Sequence, residues 1–209
     1  MFRVLFRFLP EPTVAAYKLD ECSDLGPDCE NPLQGSLVGV RVWLMTTISV
    51  RPLEVEDWVL YRAVRLAALA DAPEAFGSTL GREQGFTEDR WRERLAKRNQ
   101  FVAEDGGDTC GLIGIIPAGP GIAELVSMWV RHTTRGRGVG DLLVLAALRW
   151  ATDHDFAQVQ LWVAEGNDRA ERLYARHGFQ RTGSVQPVRE GEDELEFAMV
   201  RSAPGGEIV

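Results

Sequence analysis

Between residues 135 and 140 the chain reads RGRGVG, with a strand-like run before it and an amphipathic run after it. No other stretch constrains the fold as much. Ile122 to Arg131 has the composition of a strand. Val139 to His154 places Leu142, Leu143, Ala146, Ala147 and Trp150 at helical spacing, which predicts a helix of about four turns. A strand that passes through glycines into a helix brings backbone close to whatever lies beyond the strand end. The helix N-terminus then offers N–H groups with no intrahelical partner. Gly136, Gly138 and Gly140 permit that approach, and Arg135 and Arg137 add positive charge with forked donors. A pyrophosphate fits such a loop.

The flanking sequence supplies a mixed fold. Thr47 to Arg51 alternates like a short strand that Pro52 ends. Glu54 to Ala70 carries Val55, Trp58, Val59, Ala63, Leu66 and Ala70 at helical spacing. Pro73 and Gly77 break the chain, and Thr87 before Glu88 and Asp89 reads as the N-cap of a second helix running to about Arg98. Phe101–Glu104 and Cys110–Ile116 flank DGGD as a hairpin, and PAGPG at 117–121 is a turn into the third strand of a meander. After the long helix come a strand at Gln158–Val163 and a helix at Asn167–His177, with Asn167 as N-cap and Gly178 as its stop. Phe179–Gly183 and Leu195–Val200 read as closing strands. The expected fold class is mixed α/β (α+β), with an antiparallel front half, a βαβ-like crossover in the centre and about four helices.

One domain is expected, at residues 46–203. The first 45 residues begin like a signal peptide, but Arg3 and Arg7 interrupt the apolar stretch and no convincing cleavage site follows. The proline- and glycine-bearing stretch behind them has no sustained period. It reads as a flexible extension, or as sequence upstream of a true start at Met45. Residues 204–209 form a short tail.

Composition removes several function classes. Lys plus Arg number 23 against 31 Asp plus Glu, a net charge of −8, so no general attraction to nucleic acid is expected. Lys18 and Lys97 are the only lysines. Neither follows a glycine, as a P-loop requires, and Lys97 lies in WRERLAKR, a solvated helix face unsuited to a Schiff base. Cys22, Cys29 and Cys110 make no disulfide framework, which points to a reducing cytoplasm. His132, His154 and His177 show no metal-binding spacing, no serine sits in a G-x-S-x-G elbow, and no apolar run reaches membrane-spanning length. Neither a metal nor a membrane partner is expected.

The glycine loop does not fit the dinucleotide fingerprint G-x-G-x-x-G. Counted from Gly138, the last glycine falls on Leu143; counted from Gly136, it falls on Asp141. Arg135-x-x-Gly138-x-Gly140 instead resembles the [RQ]-x-x-G-x-[GA] signature of the GNAT superfamily of acyl-CoA-dependent N-acyltransferases. LWVAEGNDRAERLYARHGF at 161–179 resembles that family's second motif, through Asn167, Ala170, Tyr174, Gly178 and Phe179. The resemblance covers about Ile48 to Arg201, and DAPEAFGST at 71–79 resembles a subset of bacterial members with unassigned substrates.

This resemblance implies a mostly antiparallel sheet with a central parallel strand pair that splays apart, the thioester of acetyl-CoA lying in the gap. Backbone groups of Met128, Trp129 and Val130 would pair with the pantetheine arm, and amides of Arg135, Gly136, Arg137, Gly138, Val139 and Gly140 would hold the pyrophosphate. Asn167 would meet the pantetheine and Tyr174 the sulfur. It further implies acetyl transfer to a primary amine of a small molecule or peptide, by direct attack through a tetrahedral intermediate. A homodimer through the last strands is common in the family. Glu124 stands where one branch of the family carries a general base. It is equally readable as a strand residue paired with an arginine, the base then being an ordered water. Tyr174 is either the acid that meets the leaving thiolate or a core aromatic. Trp58, Phe86 and Trp91 either pack the core or line an acceptor pocket. A non-catalytic acyl-CoA-binding regulatory module is the alternative function.

Overall fold

Buried and half-buried residues alternate strictly along 158–164 and through the first half of 122–130, and seven strands form one sheet. In the computed structural model, described for residues 48–202 apart from Glu192, the strands are β1 (Ile48–Pro52), β2 (Gln100–Asp105), β3 (Asp108–Gly119), β4 (Ile122–Val130), β5 (Gln158–Ala164), β6 (Gln180–Pro187) and β7 (Leu195–Ser202). The helices are α1 (Trp58–Asp71), α2 (Leu80–Gln84), α3 (Glu88–Leu95), α4 (Val139–Asp153) and α5 (Asp168–Arg176). Expectations for residues 1–47 and 203–209 lie outside the described residues.

Strand order is β1-β2-β3-β4-β5-β7-β6. Every neighbouring pair is antiparallel except β4 and β5, which the α4 crossover makes parallel. The sheet separates two cores. On one face α4 buries Leu143, Val144, Ala147 and Leu148 against Ile113, Ile115, Leu125 and Leu161, with Tyr174 of α5 and Phe197 in the same cluster. On the other face Tyr61, Val64, Ala68 and Leu69 of α1 and Trp91 and Leu95 of α3 pack on Val102, Leu112 and Trp129.

Two helices differ from the sequence expectation. In α1 the buried stripe is Tyr61, Val64, Arg65, Ala68 and Leu69, while Val59, Ala63 and Ala70 are exposed. The helix is rich in alanine and leucine on both sides, so period alone did not choose the face. The true stripe was disguised by the charge of Arg65. The second difference is α2, one short helix after the break at Pro73 and Gly77, capped by the Thr79 side chain accepting from the Arg82 N–H at 3.3 Å. It raises the helix number among the described residues to five.

Candidate active site

β4 and β5 pair over only three positions, Ile122 with Gln158, Ala123 with Val159 and Glu124 with Gln160. Beyond Glu124 they part. β4 carries a bulge against β3 between the Val126 and Trp129 pairings, where Ser127 takes a left-handed φ of 61°. β5 meanwhile continues against β7 to Ala164. Among the described residues, the edge of β4 that faces β5 is thus left without a strand partner from Leu125 onward, the arrangement that an extended ligand arm completes.

At the open end of this gap lies the glycine loop. Gly136 and Gly138 hold φ near 80°, the left-handed region that favours glycine, and Gly138 is the N-cap of α4. Gly140 is required for a different reason: a Cβ there would stand 3.1 Å from Leu173 Cδ2 of α5. The start of α4 therefore packs on α5, and Asp141 seals the contact by accepting from Arg176 at 2.9 Å and meeting His177 Nε2 at 3.0 Å. Burial alone would raise the Asp141 pKa, yet these hydrogen bonds hold it below the usual carboxylate value.

A cleft of about 710 Å³ runs along this gap. Met128, Trp129, Val130, Arg135, Gly136, Gly138, Val139, Gly140 and Asn167 all line it, which brings together most of the residues expected from the sequence. Arg137 stands apart. Its guanidinium donates to Asp105 at 2.5 Å, and Arg135 is likewise engaged, Nε with the Val130 carbonyl at 2.8 Å and Nη2 with Asp71 at 3.1 Å. Both arginine side chains hold the loop to neighbouring strands and helices.

A second cavity, of about 820 Å³, adjoins the first and shares Met128, Asn167, Ala170 and Leu173 with it. Glu124 and Tyr174 line this one. Asn167 Oδ1 accepts from the Ala170 N–H at 3.1 Å as the N-cap of α5, and Tyr174 lies nearly two turns further along the same helix. Tyr174 is buried, packs edge-on to Phe179 at 5.8 Å, and its hydroxyl bonds to no described residue. Burial pushes its pKa above the ordinary tyrosine value. Glu124 pairs with no described arginine; it accepts from Gln160 Nε2 at 2.7 Å across the last β4–β5 position.

Further polar residues line the cavity that sequence reasoning did not single out. Glu196 of β7 accepts from Gln186 at 2.8 Å. Its pKa is raised, chiefly by desolvation and also by the charge of Glu124, while the Gln186 hydrogen bond opposes. Arg65 grips buried Glu83 of α2 through two nitrogens, the closest contact 2.8 Å, and donates to Ser127 Oγ at 3.2 Å. Arg94 of α3 reaches Glu83 at 2.9 Å. The one signal available was a charged residue inside the α1 stripe. Trp91 is buried in the core, Trp58 packs beside it, and Phe86 touches the cavity.

Comparison with known proteins defines the class. The model of the Acetyltransferase (GNAT) family matches residues 64–179, more than half of the chain. The chain belongs to the GNAT acetyltransferase family, whose members draw their acyl group from acetyl-CoA. Among curated relatives, mycothiol acetyltransferase of Parafrankia sp. (strain EAN1pec) is 32% identical over 64% of this chain and 47% of its own length. N-acetyltransferase 8 of Rattus norvegicus is 33% identical over 40% of each chain. The chain thus spans less than half the length of either of these two relatives. Two solved structures share the fold. The ribosomal-protein-alanine N-acetyltransferase of Brucella melitensis has a TM-score of 0.62 at 20% identity, over 74% of this chain and 99% of its own. The protein yncA of Salmonella typhimurium, solved with its cofactor acetyl-CoA, has a TM-score of 0.62 at 17% identity, over 78% and 98%.

Proposed function

We propose that this chain transfers the acetyl group of acetyl-CoA to a primary amine of a small molecule or peptide, in a bacterial cytoplasm. The observation that carries the reading is the parting of β4 and β5 after Glu124. It opens one cleft toward the glycine loop and one cavity toward Glu124 and Tyr174, with shared walls between them. The residues present fit the donor. Free amides at the start of α4 suit a pyrophosphate, the unpaired edge of β4 suits the pantetheine arm, and Asn167 lies between the two spaces.

Amine chemistry assigns the other roles. At pH 7 an amine with a pKa of about 10 is neutral in only about one molecule per thousand, so a base must take its proton before it attacks. Glu124, held by Gln160, accepts that proton directly or through water. The amine nitrogen then bonds to the acetyl carbon and the carbon–sulfur bond breaks. Backbone N–H groups near Met128 or Val130 hold the negative oxygen that forms on the way. Tyr174 donates its O–H to the departing sulfur. A thiol has a pKa of about 8.5, and the tyrosine sits above its ordinary value. The donation therefore acts as a hydrogen bond that strengthens as charge builds on sulfur.

Thermal unfolding of the full chain with acetyl-CoA and, separately, NADH tests the donor, because a ligand selective for the native state raises the midpoint by mass action. A shift with acetyl-CoA alone is expected, followed by thiol release with members of an amine panel. Absence of the shift overturns the reading. A shift without turnover on any amine would reassign the chain as an acyl-CoA-binding regulatory module.

A further inference from the structure

The acceptor side of the larger cavity carries more positive charge than an amine acceptor calls for. Arg65, Arg82, Arg90 and Arg94 reach its lining from α1, α2 and α3, in a chain where acids outnumber bases. Arg65 and Arg94 share a single carboxylate, Glu83. The Arg65 and Glu83 side chains are only 5% and 2% exposed and Arg94 is 24% exposed. Two guanidiniums share one carboxylate, so this triad carries a net positive charge, and Arg94, the more open of the two, presents it toward the cavity. Rings hold both groups in place, Phe76 beneath Arg65 at 4.8 Å, Tyr61 and Trp91 beneath Arg94 at 5.4 and 5.6 Å. Arg90 is engaged by Glu93 at 2.5 Å. Arg82 lines the cavity and its side chain pairs with no described residue, so its whole fork is available. The same cavity holds Glu124 and Glu196 on β4 and β7, so its charge is positive on the helices and negative on the strands.

We propose that the acceptor is a small amine that also bears a carboxylate, an amino acid by class. Arg82 with Arg94 takes the carboxylate, and the amine faces Glu124. The guanidinium fork matches a carboxylate in two parallel hydrogen bonds, which an ammonium cannot use. A cavity of about 820 Å³ leaves ample room for a ligand of that size. This inference rests on the acetyl-transfer reading of the same site.

The test compares free amino acids with their carboxamides as acceptors, which changes the anionic end and leaves the amine in place. The expected result is a kcat/KM at least tenfold higher for the acid of the best pair, narrowing to threefold or less in Arg82→Ala and partly kept in Arg82→Lys. Acetyl-CoA binding, read by thermal shift, stays unchanged in both variants. Equal or faster turnover of the carboxamides overturns the inference and leaves acetyl transfer standing. A preference that survives Arg82→Ala overturns the role of that residue and with it the proposal. Should no acceptor release thiol, equilibrium binding of N-acetyl amino acids and N-acetyl carboxamides to the CoA-loaded protein decides. Tighter binding of the acids, lost in Arg82→Ala, supports the carboxylate subsite while transfer falls, and equal binding sinks both.

Discussion

The cleft along β4 and the cavity above Glu124 share seven lining residues, yet they are made from different material. The cleft is a backbone device: an unpaired strand edge, two glycines at positive φ and the start of a helix. The two arginines of the glycine loop, Arg135 and Arg137, are engaged by Asp71, the Val130 carbonyl and Asp105. The cavity is a side-chain device, in which Arg65, Glu83, Arg94, Glu124, Gln160 and Glu196 come from six elements. Backbone recognition suits a donor that is the same in every turnover, since amides read phosphate and amide groups irrespective of side chain. A side-chain site can be recast one substitution at a time, which suits an acceptor that differs from one relative to the next.

The sharpest way to break the side-chain half is at Glu83. Glu83→Ala leaves Arg65 buried without its counter-charge, and loss of one partner of a buried pair costs about 3–5 kcal/mol. That is a large part of the roughly 5–15 kcal/mol typical of a domain. Denaturant unfolding reads it, and adding Arg65→Met should recover part of the loss. A loss below about 1 kcal/mol would mean that the triad is not a structural unit. The pH dependence has a definite sign. Desolvation raises the Glu83 pKa, but Arg65, Arg94 and Ser78 outweigh it, so the folded value is depressed. The stability it contributes is present above the unfolded carboxylate pKa of about 4.3 and is lost as pH falls through the lower folded value. Glu83→Gln should flatten the acid limb of stability against pH.

Next in size is Glu124→Gln, which keeps the partner of Gln160 but removes the carboxylate we propose as the base. A fall in kcat of about 100- to 1000-fold is expected, with the acetyl-CoA thermal shift unchanged. Rates within threefold of the parent would assign the proton to another acceptor. Glu196 is the next carboxylate in the same cavity, and its desolvation raises its proton affinity.

The contrast between the halves also explains what the sequence made legible. A positive φ at Gly136 and Gly138, the close approach at Gly140 and the N-cap at Asn167 each demand a particular residue type within a short span. The cleft along β4 therefore leaves a motif that can be read in a line. Strand alternation and the α4–β5–α5 crossover were legible for the same reason, because each is set by local period. The cavity had no such trace. Arg65 meets Glu83 across 18 positions and Ser127 across 62, and Glu124 joins Gln160 across 36. Nothing local ties such residues together. The α1 face was misread for a related reason, since its core stripe includes an arginine whose partner lies on another helix.

In the backbone half, Gly138→Val places a β-branched residue at φ 81°, a conformation that costs about 1–3 kcal/mol to hold. The loop is expected to relax and the acetyl-CoA shift to disappear, whereas Gly138→Ala retains a reduced one. A full shift in both would show that the loop amides are not what the donor reads.

The smallest expected effect is the most discriminating. Arg137 is the loop charge that the sequence would assign to a phosphate, but its guanidinium is engaged by Asp105. A donor held by amides should barely notice its removal, so Arg137→Gln is expected to change acetyl-CoA affinity by no more than about two- to threefold, in keeping with the modest worth of exposed charge pairs. Affinity of the parent should also depend only weakly on salt, because solvent-exposed charge interactions are the ones that ions screen. Titration of acetyl-CoA at low and high ionic strength, with the parent and Arg137→Gln side by side, measures both. A tenfold loss in the variant, concentrated at low salt, would mean that Arg137 leaves Asp105 for the phosphate when the donor binds. The two halves would then differ in fold but not in the kind of chemistry they use.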